Sequence, residues 1–158
     1  MTPFLARLLR RPLIRIARGA TSYPLVKRYF PFEGIVSNLG GGIAQNCFVQ
    51  LVSIEAIGGT SGIVSQPLPW VYAPELFSRD IPPGGSDLFV MAEPSGYKEM
   101  WELGTVILPQ GLYDVAVTVV GDNFRMRPWH YLVTLNSLGL SVRKAWKSYA
   151  KLERFPNS

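Results

Sequence analysis

Short apolar runs, punctuated by glycine, proline and serine, fill the chain from residue 34 to residue 136. They predict strands over 34–39, 45–56, 66–73, 86–93, 100–108, 112–120 and 129–136, joined by turns in NLGGGIAQN, AIGGTSG, RDIPPGGS, EPSGY and LPQG. The clearest run is YDVAVTVV. Successive side chains of a strand point to opposite faces, so Tyr113, Val115, Val117 and Val119 are expected inside and Asp114 and Thr118 outside. WHYLVTL alternates in the same way, with Trp129, Tyr131, Val133 and Leu135 inward and His130, Leu132 and Thr134 outward. About seven strands with this phasing predict an all-β fold, an antiparallel β-sandwich over residues 31–138.

The two ends show a helical period instead. In PFLARLLRRPLIRIARG, Leu5, Leu8, Leu9, Pro12, Leu13 and Ile16 fall on one side of a wheel, and Arg7, Arg10, Arg11, Arg15 and Arg18 on the other. This spacing predicts a basic amphipathic helix within an N-terminal extension, residues 1–30, kinked or restarted at Pro12 and stopped by Gly19. Three uses stay open for it: docking on the sandwich with its arginines in water, lying on an anionic membrane surface, or a targeting or nucleic-acid role. Arg15 and Arg18 interrupt any apolar core that a secretory signal would need. LSVRKAWKSYAKLERF predicts a short basic C-terminal helix within residues 139–158, capped at Ser141. Packing of Trp146, Tyr149 and Leu152 on the sandwich is one reading of it, and binding of a partner is the other.

Composition sharpens this picture in one respect. Charged residues make up 17% of the 158, below the ~25% of ordinary soluble domains, so apolar surface is expected to be left over after the core is filled. No run is apolar for long enough to span a bilayer as a helix. Cys47 is the single cysteine and has no partner for an internal disulfide, which fits a reducing compartment. The net charge of +5 is segregated: residues 1–28 hold seven basic residues and no acid, 29–142 hold four basic and ten acidic residues, and 143–158 hold five basic and one acidic. An acidic body between two basic ends points to an anionic partner for the ends, either lipid headgroups or nucleic acid.

Three landmarks bring a resemblance into view. Gly111-Leu112-Tyr113-Asp114-Val115 has the spacing of an immunoglobulin-type tyrosine corner, Cys47 lies on the second expected strand and Trp70 on the third. The core therefore resembles an Ig-like sandwich whose disulfide position carries Cys47 and Val115. PLPW (67–70), DIPPG (80–84) and the P-x-G-x-Y-x-x-x-V-x-V-x-G-D-N run (109–123) are similar to a set of prokaryotic Ig-like sandwich domains of unknown function. That resemblance covers roughly residues 34–136 and implies a fold but no activity.

Little in the chain points to catalysis. One histidine and one cysteine, far apart in sequence, are too few soft ligands for zinc, and the candidate calcium carboxylates Asp80, Asp87 and Asp122 lack EF-hand spacing. His130 is the only imidazole base, no G-x-S-x-G elbow accompanies it, and GGGIAQN lacks the spacing and lysine of a P-loop. No cofactor or metal is expected, and a small-molecule substrate is disfavoured. GDNFRMRP is different. Gly121-Asp122-Asn123 turns the chain, and Phe124, Arg125, Met126 and Arg127 follow at the tip, residue types enriched at interface centres. Either this tip binds a partner, or Phe124 and Met126 fold back under the sandwich and leave the arginines in water.

The expected function is a non-catalytic interaction or assembly module. It would be cytoplasmic and peripheral to an anionic membrane if Arg7, Arg10, Arg11, Arg15 and Arg18 face that surface from the helix. The alternative is a structural, coat-like protein whose basic arm contacts nucleic acid, and a sandwich-fold hydrolase comes third.

Overall fold

A computed structural model of the chain describes residues 10–18, 22–23, 32–57, 61–94, 100–136 and 139–145. These form strands β1 (Ile14–Arg18), β2 (Ser22–Tyr23), β3 (Phe32–Asn38), β4 (Ala44–Ala56), β5 (Ser61–Leu68), β6 (Arg79–Ile81), β7 (Ser86–Pro94), β8 (Trp101–Leu103), β9 (Val106–Leu108), β10 (Gly111–Val120), β11 (Trp129–Asn136) and β12 (Gly139–Ala145). One sheet runs β1-β3-β7-β8-β9 and the other β2-β12-β11-β10-β4-β5, with β6 paired to β4. All pairings are antiparallel. Inner faces of the two sheets meet in a common core that includes Ile16, Val36, Phe89 and Trp101 from the first and Val49, Leu51, Val115, Val117 and Tyr131 from the second. The architecture is a β-sandwich. Each large apolar side chain fully buried there stabilises the fold by ~1.5–3 kcal/mol before entropic costs.

The expected inward sets of β10 and β11 lie in this core. Tyr113, Val115, Val117, Val119, Tyr131, Val133 and Leu135 are buried, and Trp129 packs against them half-buried. The expected outward residues of β10, Asp114 and Thr118, are buried instead, as is Ala116 between them. β10 is flanked by β4 and β11 along its length. His130 reaches over from β11 to Asp114, and the hydroxyl of Thr118 donates to Met126 O at 3.1 Å. The loop after β10 therefore folds back over part of the face that alternation alone assigns to solvent.

Two of the expected strand runs are bounded differently in the structure. The run expected at 66–73 is β5 at 61–68, in which Pro67 is tolerated because β5 is an edge strand. The chain then crosses to the other sheet: Val90 N–H donates to Pro69 O, Val71 N–H donates to Leu88 O, and Trp70 bridges Phe89. The run at 100–108 is a hairpin, β8 and β9, broken at Gly104, whose φ of 60° suits glycine. Side chains on β4 keep facing the core through irregular pairing with β10 near Val52 and with β6 between Ala44 and Cys47, where Asn46 takes a φ of 51°.

The two flanking helices do not match what their described parts form, since no helix occurs among the described residues. Ile14–Arg18, expected to be helical, is β1 at the edge of the first sheet. Ile16 is buried and Arg15 exposed, so the same residues that fit a wheel also fit a strand, and Pro12 prevents a helix from running through. Gly139–Ala145, the expected start of the C-terminal helix, is β12, paired with β11 from Asn136↔Gly139 to His130↔Ala145. Residues 1–9 and 146–158, where the rest of both helices was expected, lie outside the described residues.

Cys47 and Val115 do not occupy facing positions on opposite sheets. β4 and β10 are neighbours in one sheet, Val115 pairs with Ile54, and Cys47 pairs with Arg79 of β6.

Candidate interaction surface at the loop end

One end of the sandwich gathers the segment before β1, the β3–β4 loop (39–43), the β6–β7 turn (82–85) and the β10–β11 loop (121–128). Asn38, fully buried at the end of β3, holds most of them together. Its side-chain Nδ2 donates to Gly42 O at 2.7 Å and Ile81 O at 2.9 Å, and its Oδ1 accepts from the N–H groups of Leu13 and Gly40. Its backbone N–H donates to Gly85 O and its carbonyl accepts from Gly84 N–H. Such a buried amide is affordable only because every donor and acceptor is matched.

Two of the three glycines of NLGGG have a related purpose. Cβ atoms at Gly40 and Gly42 would lie 2.0 Å from Arg11 O and Arg10 O, so the N-terminal segment crosses directly over the loop backbone. Leu39 N–H donates to Leu13 O at 2.8 Å. On the other side of the loop the GDN turn is fastened to the start of β4. Asp122 N–H donates to Gln45 O, Gln45 N–H donates to Asn123 Oδ1, and Asn123 Nδ2 donates to Ile43 O at 2.7 Å. Asn46 donates to Asp80 Oδ1 through its backbone N–H and to Asp122 Oδ2 through its side chain.

Within the tip Phe124-Arg125-Met126-Arg127, the two apolar residues are half-buried against the core and both arginines are exposed. The Phe124 ring lies over Gly121, where a Cβ would come within 2.1 Å of it. An open hollow of about 620 Å³ runs along Thr118–Met126. Arg10 and Arg11 are exposed beside the glycine loop. Arg15 and Arg18 lie further along β1, Arg15 exposed, and Arg7 lies outside the described residues. The arginines expected to share one helix face are thus split between a loop end and a strand. Arg10, Arg11, Arg125 and Arg127 make no ion pair among the described residues, whereas Arg79 at the same end is bound to Asp87 at 2.6 Å.

Apolar side chains stand among these arginines. Leu13 is 61%, Leu39 58% and Ile43 49% exposed. Leu13 was visible in the sequence as part of the apolar side of the expected helix, whereas Leu39, Ile43 and Asn38 did not stand out as functional. The only signal for Leu39 and Ile43 was the surplus of apolar residues, which carries no position.

Elsewhere the chemistry is quiet. His130 Nδ1 lies 2.9 Å from Asp114 Oδ1, with the carboxylate almost fully buried and the imidazole half-exposed. Ser53 is on the same face, but Ala116 lies between it and His130 in the pairing, and no hydrogen bond joins the two among the described residues. Cys47 is fully buried. Burial, and then the nearby Asp80 and Asp122 carboxylates, push its thiol from the ordinary 9.0 up to about 12, so it stays protonated and poorly nucleophilic. No three His, Cys, Asp or Glu side chains gather as metal ligands among the described residues. Comparison with known proteins yields no matching family model, no matching curated protein and no matching solved structure.

Proposed function

We propose that the chain is a non-catalytic interaction module, an Ig-like sandwich that presents its loop end to an anionic partner. The strand order favours this fold: β1-β3-β7 against β11-β10-β4-β5 corresponds to the A-B-E and G-F-C-C′ strands of an Ig-like domain, while β8 follows β7 in the chain and so is not the D strand, which precedes E. In that frame β10 is strand F, and Tyr113 near its start donates to Pro109 O at 2.9 Å, as a tyrosine corner does. β4 then corresponds to C rather than B, which explains why Cys47 does not face Val115. The β3–β4 and β10–β11 loops become the B–C and F–G loops, which such domains use for recognition.

The observation that carries the functional reading is the display, on loops locked by side-chain amides, of four arginines that make no ion pair among the described residues. Guanidinium groups held on a rigid support bind carboxylate or phosphate with less ordering cost than flexible ones. The test uses Arg125→Glu/Arg127→Glu and a control at the opposite end, Glu33→Gln/Glu93→Gln. Binding to anionic vesicles, to a single-stranded oligonucleotide and to protein partners recovered from cells is measured for each. Loss in the first variant with retention in the second is expected. Binding that ignores the arginine changes in every arm overturns the proposal.

A further inference from the structure

We infer that the loop end is a lipid-docking surface, on which Leu13, Leu39 and Ile43 enter the headgroup region of an anionic membrane while Arg10, Arg11, Arg125 and Arg127 hold its phosphates. This deepens the function proposed above and rests on it.

The three apolar side chains belong to one small piece of surface. Leu13 and Leu39 are joined through the backbone, and Gly42 N–H donates to Arg11 O. Ile43 comes next in the chain, and its carbonyl is held by Asn123. Arg10 and Arg11 precede Leu13, while Arg125 and Arg127 follow the turn that Asn123 anchors. Exposed leucine and isoleucine ringed by arginine suit the boundary between headgroups and acyl chains, where the apolar tips leave water and the guanidinium groups stay with phosphate. A nucleic-acid backbone would use the arginines and leave the aliphatic tips in water. Three acids share this end. Asp80 and Asp122 are both engaged by Asn46, at the start of β4. Asp87 is neutralised by Arg79. Asn46 is neutral and leaves both of its partners charged, so Arg10, Arg11, Arg125 and Arg127, without an ion pair among the described residues, outnumber Asp80 and Asp122.

β1 changes how such contact would work. With Ile14–Arg18 paired to β3, the arginines near the tip are carried by folded loops, and no free amphipathic helix over these residues is required. Docking would then orient the sandwich with its loop end toward the membrane.

The experiment is co-sedimentation of the full chain with vesicles of phosphatidylcholine alone and of phosphatidylcholine mixed with phosphatidylserine, at low and high salt. Binding to the mixed vesicles only is expected. Arg125→Ala/Arg127→Ala should weaken it about 30-fold, at two cations removed from an anionic surface. Leu13→Ser/Leu39→Ser/Ile43→Ser should weaken it at least ~10-fold and remove whatever binding survives high salt. Leu39→Ser alone serves as the milder variant should the triple change fail to fold. No binding to the mixed vesicles overturns the inference, as does binding that the serine variants leave unchanged. A single-stranded oligonucleotide separates the two levels of the proposal. If it binds through Arg125 and Arg127 while vesicles do not, the lipid reading falls and the loop-end reading stands. If neither binds and no protein partner depends on those arginines, both fall.

Discussion

The two ends of the sandwich are held by different kinds of bond. At the end where β10 begins, Tyr113 reaches back to Pro109, four residues away, and Ile57 N–H donates to Leu112 O. At the loop end the fastening side chains are Asn38, Asn46 and Asn123, and their bonds reach across 25 to 80 residues, apart from Asn38's local contacts with Gly40 and Gly42. Among the described residues the side-chain tie of the first end is local, packing a ring and satisfying one hydroxyl, and its longer tie is a backbone bond. The second gathers four distant segments into one surface, and its exposed residues stay in register only while the amides hold. A recognition surface made of several loops needs such long-range ties, because no single loop is rigid alone.

The sharpest way to break this contrast is Asn38→Ala. It strips four side-chain hydrogen bonds from a fully buried position and leaves Gly42 O, Ile81 O and two N–H groups to find other partners. Urea unfolding should show a loss of about 3–5 kcal/mol. A loss below ~1 kcal/mol would mean that the amide is not the tie described here. Gly42→Ala comes next. A methyl group meeting Arg10 O at 2.0 Å must push the N-terminal segment off the loop, at a cost of about 2–3 kcal/mol. Hydrogen exchange should then rise selectively at Leu13 and Leu39, and exchange that rises evenly along the chain would speak against a local tie.

Tyr113→Phe probes the other end and should cost only about 1 kcal/mol, the net worth of one hydrogen bond. Its sharper readout is that the binding proposed for the loop end stays at the wild-type level; reduced binding would show that the two ends are not independent. The smallest effect concerns Cys47. Its folded thiol is raised to about 12 against an ordinary 9.0, so the unfolded chain releases the proton first as pH rises. Stability from keeping this thiol protonated is complete below pH 9.0 and is lost progressively toward about 12. The difference in urea midpoint between wild type and Cys47→Ala should shift through that window, and the native thiol should resist Ellman's reagent at neutral pH. Rapid labelling of the folded protein would contradict its burial.

Alternation was sufficient to reveal the inner faces of β10 and β11, since a strand that buries one face must place apolar residues at every second position. The spacing of residues 111–115, through its resemblance to a tyrosine corner, pointed to the contact of Tyr113 with Pro109 O, which spans only a few residues. Alternation could not separate helix from strand over Ile14–Arg18. Within so short a segment the wheel keeps Ile16 on its apolar side and leaves Ile14 off it, alternation keeps both, and the choice falls to whether β3 offers an unpaired edge. The same holds for Gly139–Ala145 beside β11. Nor could it show Asp114 and Thr118 buried, because the groups that cover them come from β11 and from the loop after β10.

The candidate site divides along the same line. The FRMR tip and the arginines at 10 and 11 were visible as residue types, but their meeting at one end was not. That meeting depends on Asn38, Asn46 and Asn123, whose amides look like ordinary turn residues until their distant partners are known. Local chemistry, short-range spacing and the alternation of one strand are written into the sequence by itself. Which edges are free, which outer faces are covered and which loops share a surface were decided only by the packing of the two sheets, because those are relations between segments that no local pattern encodes.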